Sequence, residues 1–203
     1  MNSSFIRRFM SYFADVMIVG VVLSIVSIFL TTDNAYKLNR EYKNTNEEML
    51  NEKIDVGTYY NRVADLSLSL DKENLLINII NCVIIIAYFV ILPLYKNGQT
   101  IGKKAFGIKI VRDDNEELTA NELIIRNVIV NGLLNTLLSF CLVFFLPGFE
   151  YFTIISILAL IQYILILISG LMIIFRNDKR GLHDIITKTH VILDKMEVEY
   201  ERV

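Results

Sequence analysis

A single carboxylate in an apolar stretch constrains this chain more than any other feature. From Phe9 to Leu30, Asp15 is the only charged residue among side chains otherwise suited to hydrocarbon. An Asp near a bilayer centre costs roughly 2.5–3.5 kcal/mol, so the group must face a partner, a cavity or water. Arg8 precedes it by seven residues. At about 100° per residue the two share a helix face, but they stand roughly 10 Å apart along the axis. A third group or a water must therefore complete the site. The candidates are Arg126, at the start of a later apolar stretch and towards the same leaflet, Arg8 through water, and amides at similar depth. A structural ion pair and a titrating proton or cation site both fit this pattern.

Four stretches reach the roughly 20 residues that a bilayer core requires of a helix: about 9–30, 75–95, 123–146 and 150–175. The hydrophobic share of 54% against 21% charged residues is too high for an ordinary soluble domain. We read one all-α membrane domain over residues 1–203, with four transmembrane helices. Arg7 and Arg8 open the chain as they would a signal peptide, but the long apolar run and Asp15 favour a retained first span. With the N-terminus cytoplasmic, fourteen of the twenty basic residues, six of them from Arg176 onward, fall on the cytoplasmic side. Both termini are therefore expected there. Leu146-Pro147-Gly148-Phe149 is a tight connection that makes the last two spans antiparallel. The net charge of −2 argues against a nucleic-acid partner. The partners expected are the lipid bilayer, a second copy of the chain and another membrane protein.

The 32–74 segment carries six basic and nine acidic residues. Its apolar residues, among them Leu50, Tyr60 and Val63, are spaced as in one or two amphipathic helices broken near Gly57. We read it as a helical extracytoplasmic insertion. The second loop differs. Ile108–Val111, a turn at Asp113–Glu116 and Glu117–Thr119 predict a small cytoplasmic β-hairpin, to which Thr189–Leu193 could add a third strand.

Polar residues recur at helical spacing. Asn74, Asn78, Asn81 and Tyr88 share one face of the second span, and Asn127, Asn131, Asn135 and Ser139 repeat the device in the third. Such stripes serve as interhelical glue or line a polar interior. Gly98-Gln99-Thr100-Ile101-Gly102-Lys103-Lys104 invites a phosphate-loop reading but fails on spacing, with three residues between the glycines and Lys104 where a Ser or Thr is needed. It reads instead as a basic interfacial segment at the lipid headgroups. Cys82 and Cys141 lack metal or redox spacing and read as small buried side chains. No cofactor or metal is implied, and without a nucleophile–base pair an enzyme is not expected.

Arg8 with Asp15, then Gly98, Thr100, Gly102 and Lys103 leading into Gly107-Ile108-Lys109-Ile110-Val111, then Arg126, then Arg180-Gly181-Leu182-His183-Asp184 before Thr189 and Val191, together resemble the RDD family of bacterial membrane proteins. The likeness runs from about Arg8 to Leu193. By this resemblance Arg8 and Asp15 are the arginine and first aspartate of the family's name, and Asp184 is assigned as the second aspartate. The 32–74 loop is longer than the family pattern, and Ala14 replaces a larger aliphatic residue. The resemblance implies a multi-pass protein of the bacterial plasma membrane, similar in outline to small transporters or to accessory subunits of other membrane proteins.

The expected function is a small membrane transporter, with cation/proton exchange at Asp15. Arg8 and Arg126 would tune that carboxylate, while Asn78, Asn81, Asn127 and Asn131 would line the path. Four helices leave little room for alternating access, so transport implies a homo-oligomer. The alternative is a scaffold or regulatory subunit that binds another membrane protein, with the same charged residues tying the bundle together.

Overall fold

The computed structural model describes residues 3–194. Lys195 and Arg202, counted above with the basic C-terminal cluster, lie outside the described residues. The elements in order are α1 (Phe5–Leu30), α2 (Asp33–Leu50), α3 (Val56–Glu73), α4 (Leu75–Ile86) running through a π-helical turn (Ala87–Ile91) into α5 (Leu92–Tyr95), and α6 (Ile101–Ala105). They continue with β1 (Ile108–Arg112), α7 (Ala120–Val130), α8 (Leu133–Leu142), α9 (Gly148–Phe175), α10 (Leu182–Ile186) and β2 (Thr189–Leu193).

Three helical segments are long and apolar enough to cross a membrane: Phe5–Leu30, Leu75–Tyr95 and Gly148–Phe175. Their large side chains are mostly exposed, as at Phe29 (82%) and Phe175 (78%), which is the surface that acyl chains cover. The protein is thus a membrane protein. The continuous third span expected over 123–146 is instead broken between α7 and α8. Gly132 sits at the break with φ +66°, a conformation that a residue with a Cβ rarely adopts. The Asn127 side-chain amide bonds back to the Leu123 carbonyl at 2.7 Å, a local alternative to the helix ladder. In the second span the π turn precedes Pro93, whose missing N–H cannot continue a regular ladder.

The chain forms two compact units. One comprises Ser24–Cys82 and Leu134–Ile161. Here the 32–74 segment is a pair of helices, with the break at residues 51–55 and Gly57 already inside α3. Thr32 caps α2 by accepting from the Ala35 N–H, and Asp55 caps α3 by accepting from the Thr58 N–H. Glu73 at the end of α3 accepts from Thr32 and Asn34 at the start of α2, while Arg62 pairs with Glu48 at 2.8 Å. Ala35, Val63 and Ala64 are buried between them. Tyr151, 1% exposed, donates to Asp71 at 2.6 Å. Burial raises the pKa of Asp71, and the Tyr151 hydrogen bond only partly offsets this. Cys141 is exposed, contrary to expectation, and Cys82 is buried.

The other unit holds residues 3–23, 83–133 and 162–194. Its core is Val90, Ile108, Ile110, Leu123 and Val191, built around an antiparallel pair in which Ile110 faces Val191. The predicted hairpin is corrected on one point. The partner of β1 is β2, and residues 117–119 form no strand. Thr119 begins α7 instead, with its N–H donating to Glu122 at 2.6 Å in a capping box. Asp113, in the turn-like run after β1, accepts from Arg180 and pairs with His190.

Candidate functional site

The buried face of α1 carries Arg8, Ser11, Asp15 and Val19, spaced as one stripe of a helix. Two of these residues lead to two separate charge centres within the same unit.

The first centre is built on Asp184, which has no exposed surface. Asp184, in the first turn of α10, reaches back to the helix start and accepts from the Gly181 N–H through Oδ2 at 3.0 Å. Arg8 Nη1 donates to Oδ2 at 2.7 Å and Arg126 Nη1 to Oδ1 at 2.5 Å. Arg8 is held in turn by Ser3 Oγ at 2.8 Å and the Val191 carbonyl at 3.2 Å, and Arg126 donates also to Thr189 Oγ1. Burial opposes ionisation of Asp184, but the charges of Arg126 and Arg8, with the Gly181 N–H, outweigh it and hold the carboxyl well below the usual carboxylate range. The neighbouring His183 is neutral, because burial and the flanking Arg126 lower its pKa to about 3. Its Nδ1 lies 2.7 Å from Ser169 Oγ. Ser169 Oγ already accepts from the Leu182 N–H, so its own proton is available to His183.

The second centre is Asp15, also without exposed surface. Its Oδ1 accepts from the Tyr88 hydroxyl at 2.6 Å and the Gly102 N–H at 2.7 Å. Its Oδ2 accepts from Thr100 Oγ1 at 2.5 Å and faces Lys103 Nζ at 3.8 Å. Thr100 is the N-cap of α6, so the loop closes onto the carboxylate as the helix begins. The close approach requires a glycine. A Cβ at residue 102 would meet the Ser11 carbonyl and lie 2.7 Å from Asp15 Oδ1. Burial lowers the pKa of Lys103 to about 8, and the Asp15 charge only partly restores it.

These contacts revise the sequence-based expectations. Neither arginine completes the Asp15 site. Arg8 and Arg126 converge on Asp184, and the partners of Asp15 come from the π turn and the 98–106 loop. That loop does not lie free at the headgroups, since Gly102 is buried and Lys103 is tucked against Asp15. Gly98 (φ +81°) backs onto β1, its carbonyl accepting from the Ile110 N–H, and Gly107 accepts from the Asp194 N–H. Asn127 and Asn131 bond to each other, and Asn131 accepts from Tyr12 at 2.9 Å. Asn78 and Asn81 fall in the other unit. The Asn81 side-chain oxygen is buried without a hydrogen bond among the described residues. Tyr88 and Ser169 are site residues that the sequence reading did not assign, and Thr100, named there only in the loop motif, is a partner of Asp15. Tyr88 already shared the helical stripe of Asn74, Asn78 and Asn81.

Both centres adjoin a cavity of about 190 Å³. Arg8, Lys103, Arg126 and His183 line it, together with Asn127, Asn131 and a largely apolar wall, whereas Asp15 and Asp184 do not. Among the described residues no group of three or more His, Cys, Asp or Glu could hold a metal ion.

Comparison with known proteins gives one family and one curated relative to report. The model of the RDD family matches residues 3–188. "Uncharacterized protein YckC" of Bacillus subtilis (strain 168) is 31% identical over 108 residues, covering 53% of this chain and 56% of that relative. The matched region thus spans just over half the relative's length. No solved structure matches.

Proposed function

The chain belongs to the RDD family, and from that premise we propose that it is a small proton-linked transporter of the bacterial plasma membrane, with both termini cytoplasmic. The observation that carries this reading is a buried lysine 3.8 Å from a buried carboxylate, on the wall of a cavity. Ionisable groups at membrane depth commonly mark proton or ion pathways.

The roles within the pair differ from those expected. Every oxygen of Asp15 is already engaged by Tyr88, Thr100, Gly102 or Lys103, so it serves as a fixed counter-charge rather than as a cation ligand. Lys103 is the member that exchanges a proton, because an ammonium can release one near physiological pH whereas a guanidinium cannot. The test is proton flux into proteoliposomes loaded with a pH-sensitive dye, with the solute ions exchanged in turn. Wild type should dissipate an imposed pH gradient, and Lys103→Gln should slow this at least about tenfold. A wild type no faster than empty vesicles sinks the reading.

One observation favours a second reading, a scaffold or regulatory subunit. The α2–α3 pair exposes Leu50 (83%) and Val56 (55%) at its connection, apolar surface of the kind a partner would cover. Replacing residues 33–73 by a short linker separates the two. A transporter keeps its flux, whereas a scaffold loses its co-purifying membrane partner.

A further inference from the structure

The cavity beside the two aspartate centres carries an unbalanced lining. Three basic side chains reach it, and the two carboxylates that neutralise them do not. With Lys103 protonated and His183 neutral, the five charged groups Arg8, Arg126, Lys103, Asp15 and Asp184 leave one positive charge uncompensated in a largely apolar environment. An excess buried charge of this kind is costly unless a counter-charge joins it.

Donors are also available. Arg126 makes both of its side-chain hydrogen bonds through Nη1, and its Nε and Nη2 make none among the described residues. The remaining wall is apolar, with Phe5, Phe9, Phe89 and Ile166 among its members. The volume of about 190 Å³ exceeds the roughly 150 Å³ of an apolar cavity that admits benzene.

We propose that this cavity binds a small amphiphilic monocarboxylate, with its carboxylate at Lys103 and the uncommitted edge of Arg126 and its apolar body among the phenylalanines. The proposal names the ligand class of the site and rests on reading Lys103 and Asp15 as the proton-exchanging pair. The groups acting on Lys103 are Asp15 on α1, Thr100 at the start of α6, Arg126 on α7, and His183 and Asp184 on α10, while Arg8 shares the cavity wall and Tyr88 holds Asp15. Burial lowers the Lys103 pKa to about 8, so above that pH the amine is neutral before a ligand enters. When the carboxylate enters above that pH, Lys103 Nζ takes one proton from solvent and becomes its counter-ion, so there ligand and proton enter together. No covalent bond forms or breaks.

Benzoate is a suitable probe, since it has the charge and the size. Calorimetric titration of the full chain in nanodiscs, with empty nanodiscs subtracted, should show saturable binding. Because Lys103 titrates near 8, affinity should fall about tenfold from pH 7 to pH 9. Uptake of close to one proton per benzoate at pH 9 should be read from buffers of different ionisation enthalpy. Lys103→Arg should keep binding but lose the pH dependence, and Lys103→Gln should weaken it at least tenfold.

Gly170 lines the cavity, and a Cβ there meets nothing within 4 Å. Gly170→Leu should therefore fold and exclude the probe, which keeps the test decisive should Lys103→Gln fail to fold. The proposal is overturned if benzamide binds as well as benzoate, if chloride or phosphate competes equally, or if Lys103→Arg retains the wild-type pH dependence. Benzoate binding without proteoliposome flux would sink the transport reading alone. Proton flux without benzoate binding would sink the ligand assignment alone.

Discussion

Asp184 and Asp15 are both fully buried carboxylates in the same unit, yet they are compensated by different chemistry. Asp184 is held by two guanidinium groups and its own helix cap. Asp15 is held by two hydroxyls, one backbone N–H and a lysine whose Nζ lies 3.8 Å away. Arginine stays charged at any pH a cell meets, so the Asp184 centre has a single charge state and serves as a clamp. Burial lowers the Lys103 pKa to about 8, so the Asp15 centre has two charge states of similar free energy near that pH. One compact unit thus pairs a fixed centre with a switchable one, and the difference lies in the cation rather than in the aspartate.

The largest effect that can break this contrast comes from Asp184→Asn. It leaves Arg8 and Arg126 buried with no means of shedding charge, and removing one partner from such a cluster costs about 3–5 kcal/mol. Asp15→Asn should cost less, about 1–3 kcal/mol, because Lys103 can release its proton and the new amide oxygen can still accept from a hydroxyl. Unfolding by denaturing detergent from a mild-detergent baseline measures both. Equal losses would refute the distinction between clamp and switch. Next in size is Gly102→Ala, which drives a methyl into the Ser11 carbonyl and the Asp15 carboxylate. We expect a loss of about 1–3 kcal/mol, as for other overpacked sites. Gly170→Ala, inside α9 with nothing near the added Cβ, should stabilise slightly, by about 0.4–1 kcal/mol.

Much of this was legible in the chain, but not who pairs with whom. Hydropathy located α1, the second span and α9, because length and apolarity are one-dimensional properties. It also marked Asp15 as a residue that must turn inward. It placed Arg126 near the start of the third apolar stretch, but position along the chain does not set which way a helix face turns, and Arg126 meets Asp184. The 98–106 loop was misjudged for a related reason. Its glycines and lysines look like surface chemistry, whereas Gly102 is there for the side chain it lacks, letting the backbone reach Asp15. Thr189–Leu193 was readable as a strand from its β-branched residues. It was expected as a third strand on a 108–119 hairpin; among the described residues it pairs with β1 alone, and Asp113 of the turn-like run serves Arg180 and His190.

The finest test of the fixed centre is its pH response, through His183. Folded His183 stays neutral down to about pH 3, whereas an unfolded chain protonates it near 6.5. Between those values the unfolded state binds more protons, so this residue makes stability rise with pH and fall as the medium is acidified below about 6.5. From pH 6.5 to pH 5.5 its share of the loss is about 1 kcal/mol. His183→Asn keeps an acceptor for the Ser169 hydroxyl near the position of Nδ1 but has nothing to titrate. The variant should therefore lose about 1 kcal/mol less than wild type over that interval in paired melting experiments. Asp184, ionised throughout this range, contributes no slope there, since its share is lost only below the unfolded carboxylate pKa of about 3.9. A variant slope equal to that of wild type would mean that His183 takes up a proton in the folded state, and the Asp184 centre would then have two charge states as well.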